Sequence, residues 1–134
     1  TAKMLNQLIV GCVHAVMAEA ASMAEAAGID AARLPECLAG GHADGSLLQR
    51  LYPRMVARDF APQGYARQLR KDLEMVSDYA AALGTPAPML TQALALYRKL
   101  IEAGGSELDT SAVFGFEQKI DPTRDTPEMK RRPA

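Results

Sequence analysis

The opening run of the chain constrains its fold most. Residues 3–27 contain no proline and one glycine, Gly11, before Gly28 stops the run. That is about seven helical turns. Apolar residues at Met4, Leu5, Leu8, Ile9, Cys12, Val13, Val16, Met17, Ala20, Met23, Ala24 and Ala27 recur three and four apart, the spacing of a helix with one apolar side. At about 100° per residue their centre falls opposite Lys3. The pattern predicts a long helix with these residues as its core stripe. Lys3, Gln7 and His14 share a narrow strip on the other side, with Asn6 beside it. Strand-forming residues are few and alanine and leucine many. The expected class is therefore all-α: a single domain of about six helices around this first one.

A lysine in the first turn opposes the helix dipole, at a cost of up to about 1 kcal/mol. Two readings follow. Lys3 is a frayed, solvated terminal side chain, or it is an amine presented to a ligand, with Asn6 and Gln7 binding substrate or orienting it. The charge balance of 15 basic against 16 acidic side chains argues against a nucleic-acid or anionic-membrane surface. His14, Glu19 and Glu25 interrupt the long apolar run, so it does not read as a membrane span. Cys12 and Cys37 lack metal-ligand spacing and read as buried thiols of a reducing cytosol.

Further along, Asp30 is suited to cap a short helix beginning near Pro35 and running through 38. The loop of Gly40, Gly41 and Gly45 holds His42 and Asp44, a weak metal or base pair with no third ligand nearby. Ser46 reads as the N-cap of a helix over 47–52, and one more turn follows over 54–58. A second long helix is expected over 65–83, closed by Gly84, with Leu69, Leu73, Val76, Ala80 and Leu83 inward. Asp72 lies about 60° from Leu69, at the edge of that stripe, where a carboxylate needs a partner. No cation sits three or four residues away, so the partner must come from another helix. Lys3 is the expected one, another buried donor the alternative. Lys71 by itself reads as a solvated lysine. A third long helix over 88–103 should bury Met89, Ala93, Leu96, Leu100 and Tyr97. Asp109 can cap a last helix to 118, with Val113 and Phe116 inward. The charged, proline-rich tail over 119–134 reads as disordered or variable.

Lys3-Met4-Leu5-Asn6-Gln7 resembles the Lys-x-x-Asn-Asn/Gln segment of the β-hydroxyacid dehydrogenases, the 3-hydroxyisobutyrate dehydrogenase family. Other segments agree in order. Ala18-Glu19-Ala20 and Ala26-Ala27-Gly28-Ile29-Asp30 resemble its A-E-A and A-G-hydrophobic-D. Residues 54–62 resemble its R-M-x-x-R-D-F-x-P, and Lys71-Asp72-Leu73 its K-D-L. Residues 85–89 and 105–113 resemble its late P-x-P/T and G-x-x-x-x-D-x-S-A segments. The likeness implies the all-α C-terminal domain of such an enzyme, like that of 6-phosphogluconate dehydrogenase. Where many members place an aromatic eight residues before the K-D-L aspartate, this chain has Gly64, and the candidate replacements are Tyr65 and Phe60.

The resemblance implies NAD- or NADP-dependent oxidation of a small β-hydroxy acid, or reduction of its semialdehyde, of 3-hydroxyisobutyrate or 2-hydroxy-3-oxopropionate type. Lys3 would be the general acid/base. Asn6, Gln7 and Ser46 would bind substrate, and Lys71 and Asp72 would stand near the cofactor. No G-x-G-x-x-G turn occurs in the sequence. The expectation is thus a C-terminal domain over 1–118 that works with its own N-terminal Rossmann domain and is inactive alone. It would be a cytoplasmic homo-oligomer. The rival is a non-catalytic helical dimerisation or binding module, with Gly11, Ala15 and Ala18 permitting close helix approach; a helical regulator is a third possibility.

Overall fold

The computed structural model describes residues 1–120. Helix α1 is Ala2–Ala26. A 3-10 turn, Ala31–Arg33, follows, with Asp30 accepting from the Ala32 amide as its cap. Then come α2 (Leu34–Leu38), α3 (Ser46–Arg50), α4 (Tyr52–Val56), α5 (Ala66–Leu83) and α6 (Pro88–Glu102). A second 3-10 turn, Thr110–Ala112, leads into α7 (Val113–Ile120). No strand occurs among the described residues, so the all-α expectation holds. Helix α7 runs past the expected boundary at 118, and the tail expectation for 121–134 lies outside the described residues.

Local chemistry explains the breaks. Gly84 takes φ 67°, the left-handed conformation that ends α5. Pro88 opens α6, where a missing amide hydrogen costs nothing. The remaining helices wrap α1, which packs against α3, α4, α5, α6 and α7. Helix α5 lies antiparallel to it: Asp72 and Leu73 meet Gln7 and Gly11, while Leu5 and Leu8 share a groove with Tyr79 and Leu83. Tyr52, Met55, Leu73, Leu90, Tyr97 and Phe114 are the large fully buried side chains. Each removes apolar area from water worth roughly 1.5–3 kcal/mol.

The inward face of α1 is not the one its apolar pattern predicts. Leu5, Ile9, Val16 and Met23 are 48–63% exposed, and Leu8, Cys12 and Val13 are half-buried. Of the expected stripe, Met17 and Ala24 are buried; Gly11, His14, Ala15, Ala18, Ala21 and Ser22 complete the buried set. The core therefore lies on the side carrying Gln7 and His14. Small side chains there let neighbouring helices come close. A Cβ on Gly11 would stand 2.8 Å from Leu73 Cδ2. Larger apolar residues on the opposite face would hold α5 away.

Smaller corrections have the same origin. Leu83 and Met89 are exposed at 60% and 62%, and Leu96 is half-buried, while Leu90, Leu94 and Phe114 fill the core. Ser46 is the first residue of α3, and Gly45 takes the cap position without a side-chain bond. Cys37 is exposed rather than buried. Helix α1 is long and apolar enough to cross a membrane by length and composition; here its small-residue face packs into the domain.

Candidate active-site edge at the start of α1

Lys3, Asn6 and Gln7 occupy the first two turns of α1. Lys3 and Asn6 are exposed and Gln7 is half-buried. Helix α5 brings Asp72 to them. Gln7 Nε2 donates to Asp72 Oδ2 at 2.8 Å, and Asn6 Nδ2 donates to Gln7 Oε1 at 2.9 Å. Asp72 thus has its partner from another helix, but the partner is the Gln7 carboxamide. Among the described residues no ion pair joins Lys3 to Asp72. The geometry explains why. Gln7 sits one turn deeper on α1, half-buried, and takes the Asp72 carboxylate itself. The Lys3 amine is left open to solvent.

Lys71 is exposed on α5 beside Asp72 and has no ion-pair partner among the described residues. Ser46 is not brought to this edge. Its neighbours Ala43 and Leu48 line a cavity of about 340 Å³ against Cys12, Val16 and Ala20, several turns along α1 from Lys3. That cavity is apolar, as is one of about 290 Å³ between Leu5, Tyr79, Leu83 and Met89. Neither is lined by the polar residues at the start of α1, which stand at the surface. Phe60 packs beneath Gly115, and Tyr65 carries the Arg67 guanidinium 4.6 Å above its ring. The His42–Asp44 pair makes no metal site: Asp44 accepts from the Gly40 and Gly45 amides and from Gln49 Nε2. Those bonds, the Gly40 amide first, lower its pKa. No cluster of three metal-ligating residues exists among the described residues.

Two buried polar centres elsewhere in the domain escape pattern reading. Asp109, 1% exposed, accepts from the Gln63 and Gly64 amides through Oδ1 and from Ser111 N and Oγ through Oδ2. Arg54 Nη1 lies 3.3 Å from Oδ1, and Arg54 Nη2 donates to the Ala61 carbonyl. Burial by itself raises the Asp109 pKa; the Ser111 and backbone hydrogen bonds outweigh it and bring it to about 2. The cap role of Asp109 was readable from its position, but its tie to Arg54 was not. His14 is 3% exposed. Its Nδ1 donates to the Val10 carbonyl at 2.7 Å, so Nε2 accepts from Thr110 Oγ1 at 3.0 Å. Burial lowers its pKa, partly opposed by the Val10 bond and the charge of Asp109. Tyr97 OH donates to the Thr110 carbonyl at 2.8 Å, which anchors the same turn.

The described residues form an all-α unit on one long helix, with an amine and two carboxamides at its exposed start and a carboxylate delivered by an antiparallel helix. Comparison with known proteins gives the family. Residues 1–116 match the family described as NAD-binding of NADP-dependent 3-hydroxyisobutyrate dehydrogenase, and the chain belongs to that family. It is 34% identical to the 2-hydroxy-3-oxopropionate reductase of Escherichia coli, over 84% of this chain and 39% of that protein. The L-threonate dehydrogenase of Escherichia coli is 30% identical over 85% of this chain and 38% of its own. A crystal structure of 3-hydroxyisobutyrate dehydrogenase from Salmonella typhimurium superposes with a TM-score of 0.81 at 29% identity, covering 87% of this chain and 41% of that one. The chain thus spans about two fifths of the length of these relatives.

Proposed function

We propose that the chain supplies the helical half of the active site of an NAD(P)-dependent dehydrogenase acting on a small β-hydroxy acid or its semialdehyde. The dinucleotide turn would come from a Rossmann unit outside these 134 residues. The observation that carries this reading is the Gln7–Asp72 bond. It ties two separate family-like segments, Lys-x-x-Asn-Gln and Lys-Asp-Leu, into one polar edge beside an exposed amine. The relatives' names, a reductase of a hydroxy-oxo acid and a dehydrogenase of a sugar acid, support the substrate class.

Lys3 acts as the general acid/base. Its ammonium donates a proton to the carbonyl oxygen in reduction, and its free amine takes the hydroxyl proton in oxidation. The charged form also polarises the carbonyl. Asn6 binds the same hydroxyl. The residues present suit the rim of a cofactor site rather than its cradle: Lys71 is an exposed cation, which could meet a phosphate, next to Asp72. When bound, the nicotinamide supplies or accepts the hydride. Ser46 stays outside this reading, because α3 stands against the middle of α1.

The outward stripe Leu5, Ile9, Val16 and Met23 supports self-association of this domain. The exposed Cys37 thiol goes with a reducing, cytoplasmic setting.

The test is kinetic. In the enzyme that joins this chain to its dinucleotide unit, Lys3→Ala should lower kcat roughly 10²- to 10⁴-fold with the helical content unchanged. Near-normal turnover removes Lys3 from its role. The 134 residues alone should show no NAD(P)-dependent turnover; activity there overturns the division of labour. Val16→Glu should shift the protein to a smaller species on sizing, and an unchanged elution volume counts against the stripe as the contact.

A further inference from the structure

Gln7 stands beside Asn6 in the sequence, which suggests a second ligand to substrate. Its bonds say otherwise. The Asp72 carboxylate offers only acceptors. It therefore holds the nitrogen end of the Gln7 amide, at 2.8 Å. The oxygen end must then face Asn6, and it accepts from Asn6 Nδ2 at 2.9 Å. Asn6 in turn is left with Oδ1 outside the chain of bonds, without a protein partner among the described residues. Flipping either amide would set a donor against a donor or an acceptor against an acceptor. One carboxylate on α5 thus sets the polarity of two amides on α1, one of them exposed and otherwise free to turn.

We propose that Gln7 is a positioning residue that transmits the orientation set by Asp72 to Asn6, so that Asn6 meets a hydroxy-acid ligand in one fixed orientation, with Oδ1 and its second Nδ2 hydrogen outward. This rests on the proposed role of Lys3 and Asn6 and replaces the substrate-binding part that the family resemblance implies for Gln7. Asp72 acts here through two amides without touching the ligand.

The first arm of the test needs no ligand. The side-chain carboxamide signals of Asn6 and Gln7 are assigned in the 134-residue protein by NMR. Asp72→Ala should move the Asn6 Nδ2 signals, although Asp72 makes no bond to Asn6. Gln7→Met should move them to a similar extent. Asp72→Asn, which keeps one acceptor oxygen, should return them toward their original positions. Unchanged Asn6 signals in Asp72→Ala, with the backbone spectrum retained, overturn the relay.

The second arm uses the enzyme joined to its dinucleotide unit, with 3-hydroxyisobutyrate as the probe. Gln7→Met should raise KM about tenfold, the worth of one misplaced hydrogen bond, and leave kcat within about twofold. An unmoved KM, with Lys3→Ala still inactivating, shows the relay to be structural only and overturns the proposal. If Lys3→Ala leaves turnover intact, the site reading fails and removes the ligand role of Asn6, while the NMR result stands separately.

Discussion

Asp109→Asn probes the hub that ties the loop before α5 to the turn before α7. The substitution conserves shape and removes charge. Asp109 accepts on both oxygens, two backbone amides at Oδ1 and the Ser111 amide and hydroxyl at Oδ2, and the Arg54 guanidinium pairs with it at 3.3 Å from Oδ1. An asparagine must turn its NH2 toward one of these sets, so either orientation puts a donor against donors. The magnitude follows from the titration. The carboxyl falls from 3.8 to about 2 on folding. At about 1.4 kcal/mol per pH unit, that is about 2.5 kcal/mol. At 1% exposure solvent screens little of it. Arg54, with a side chain 15% exposed, also loses its closest anion, so about 3 kcal/mol is expected in all. The sign is that of a depressed carboxylate. The stabilisation is complete above pH about 4 and is lost as pH falls through about 2. Urea unfolding at pH 7 and at pH 2.5, followed by circular dichroism, reads both quantities. The variant should be about 3 kcal/mol less stable at pH 7, with the gap narrowing at pH 2.5. A gap under 1 kcal/mol at pH 7, or one unchanged with pH, refutes the account.

Two further predictions concern packing and protonation. His14 is held neutral by burial, so its contribution is complete above the ordinary pKa of 6.5 and declines as pH falls below it; His14→Gln should flatten the stability slope between pH 7 and 5, and an unchanged slope would place it elsewhere. Gly105→Ala should cost more than Gly11→Ala in thermal unfolding. A Cβ at Gly105 would meet the Leu100 carbonyl oxygen at 2.9 Å, whereas at Gly11 it meets the movable methyls of Leu73. A cost of about 2 kcal/mol is expected at Gly105, against 1 kcal/mol or less at Gly11, where helix propensity offsets the crowding; the reverse order would contradict the contacts.

Much of the architecture was legible residue by residue. The proline-free run announced α1, Gly84 and Pro88 marked the end of α5 and the start of α6, and Asp30 and Asp109 were readable as caps. These are local effects, decided within a few residues along the chain. The candidate site was legible in part: Lys3 and Asp72 stand out because a cation at a helix start and a carboxylate at a stripe edge are costly without a partner, and Asn6 and Gln7 lie within one turn of Lys3.

Choosing the partners took the tertiary structure. Apolar spacing shows that a helix has an apolar side, but α1 has two usable faces, one of large residues and one of small. Which goes inward depends on how near α5 and α7 can come, and the small face with Gly11 and Ala18 admits them. That choice turned Leu5, Ile9, Val16 and Met23 outward. It also set Gln7, rather than Lys3, against Asp72, because burial and hydrogen bonding answer to the surface of the neighbouring helix and not to the periodicity of one.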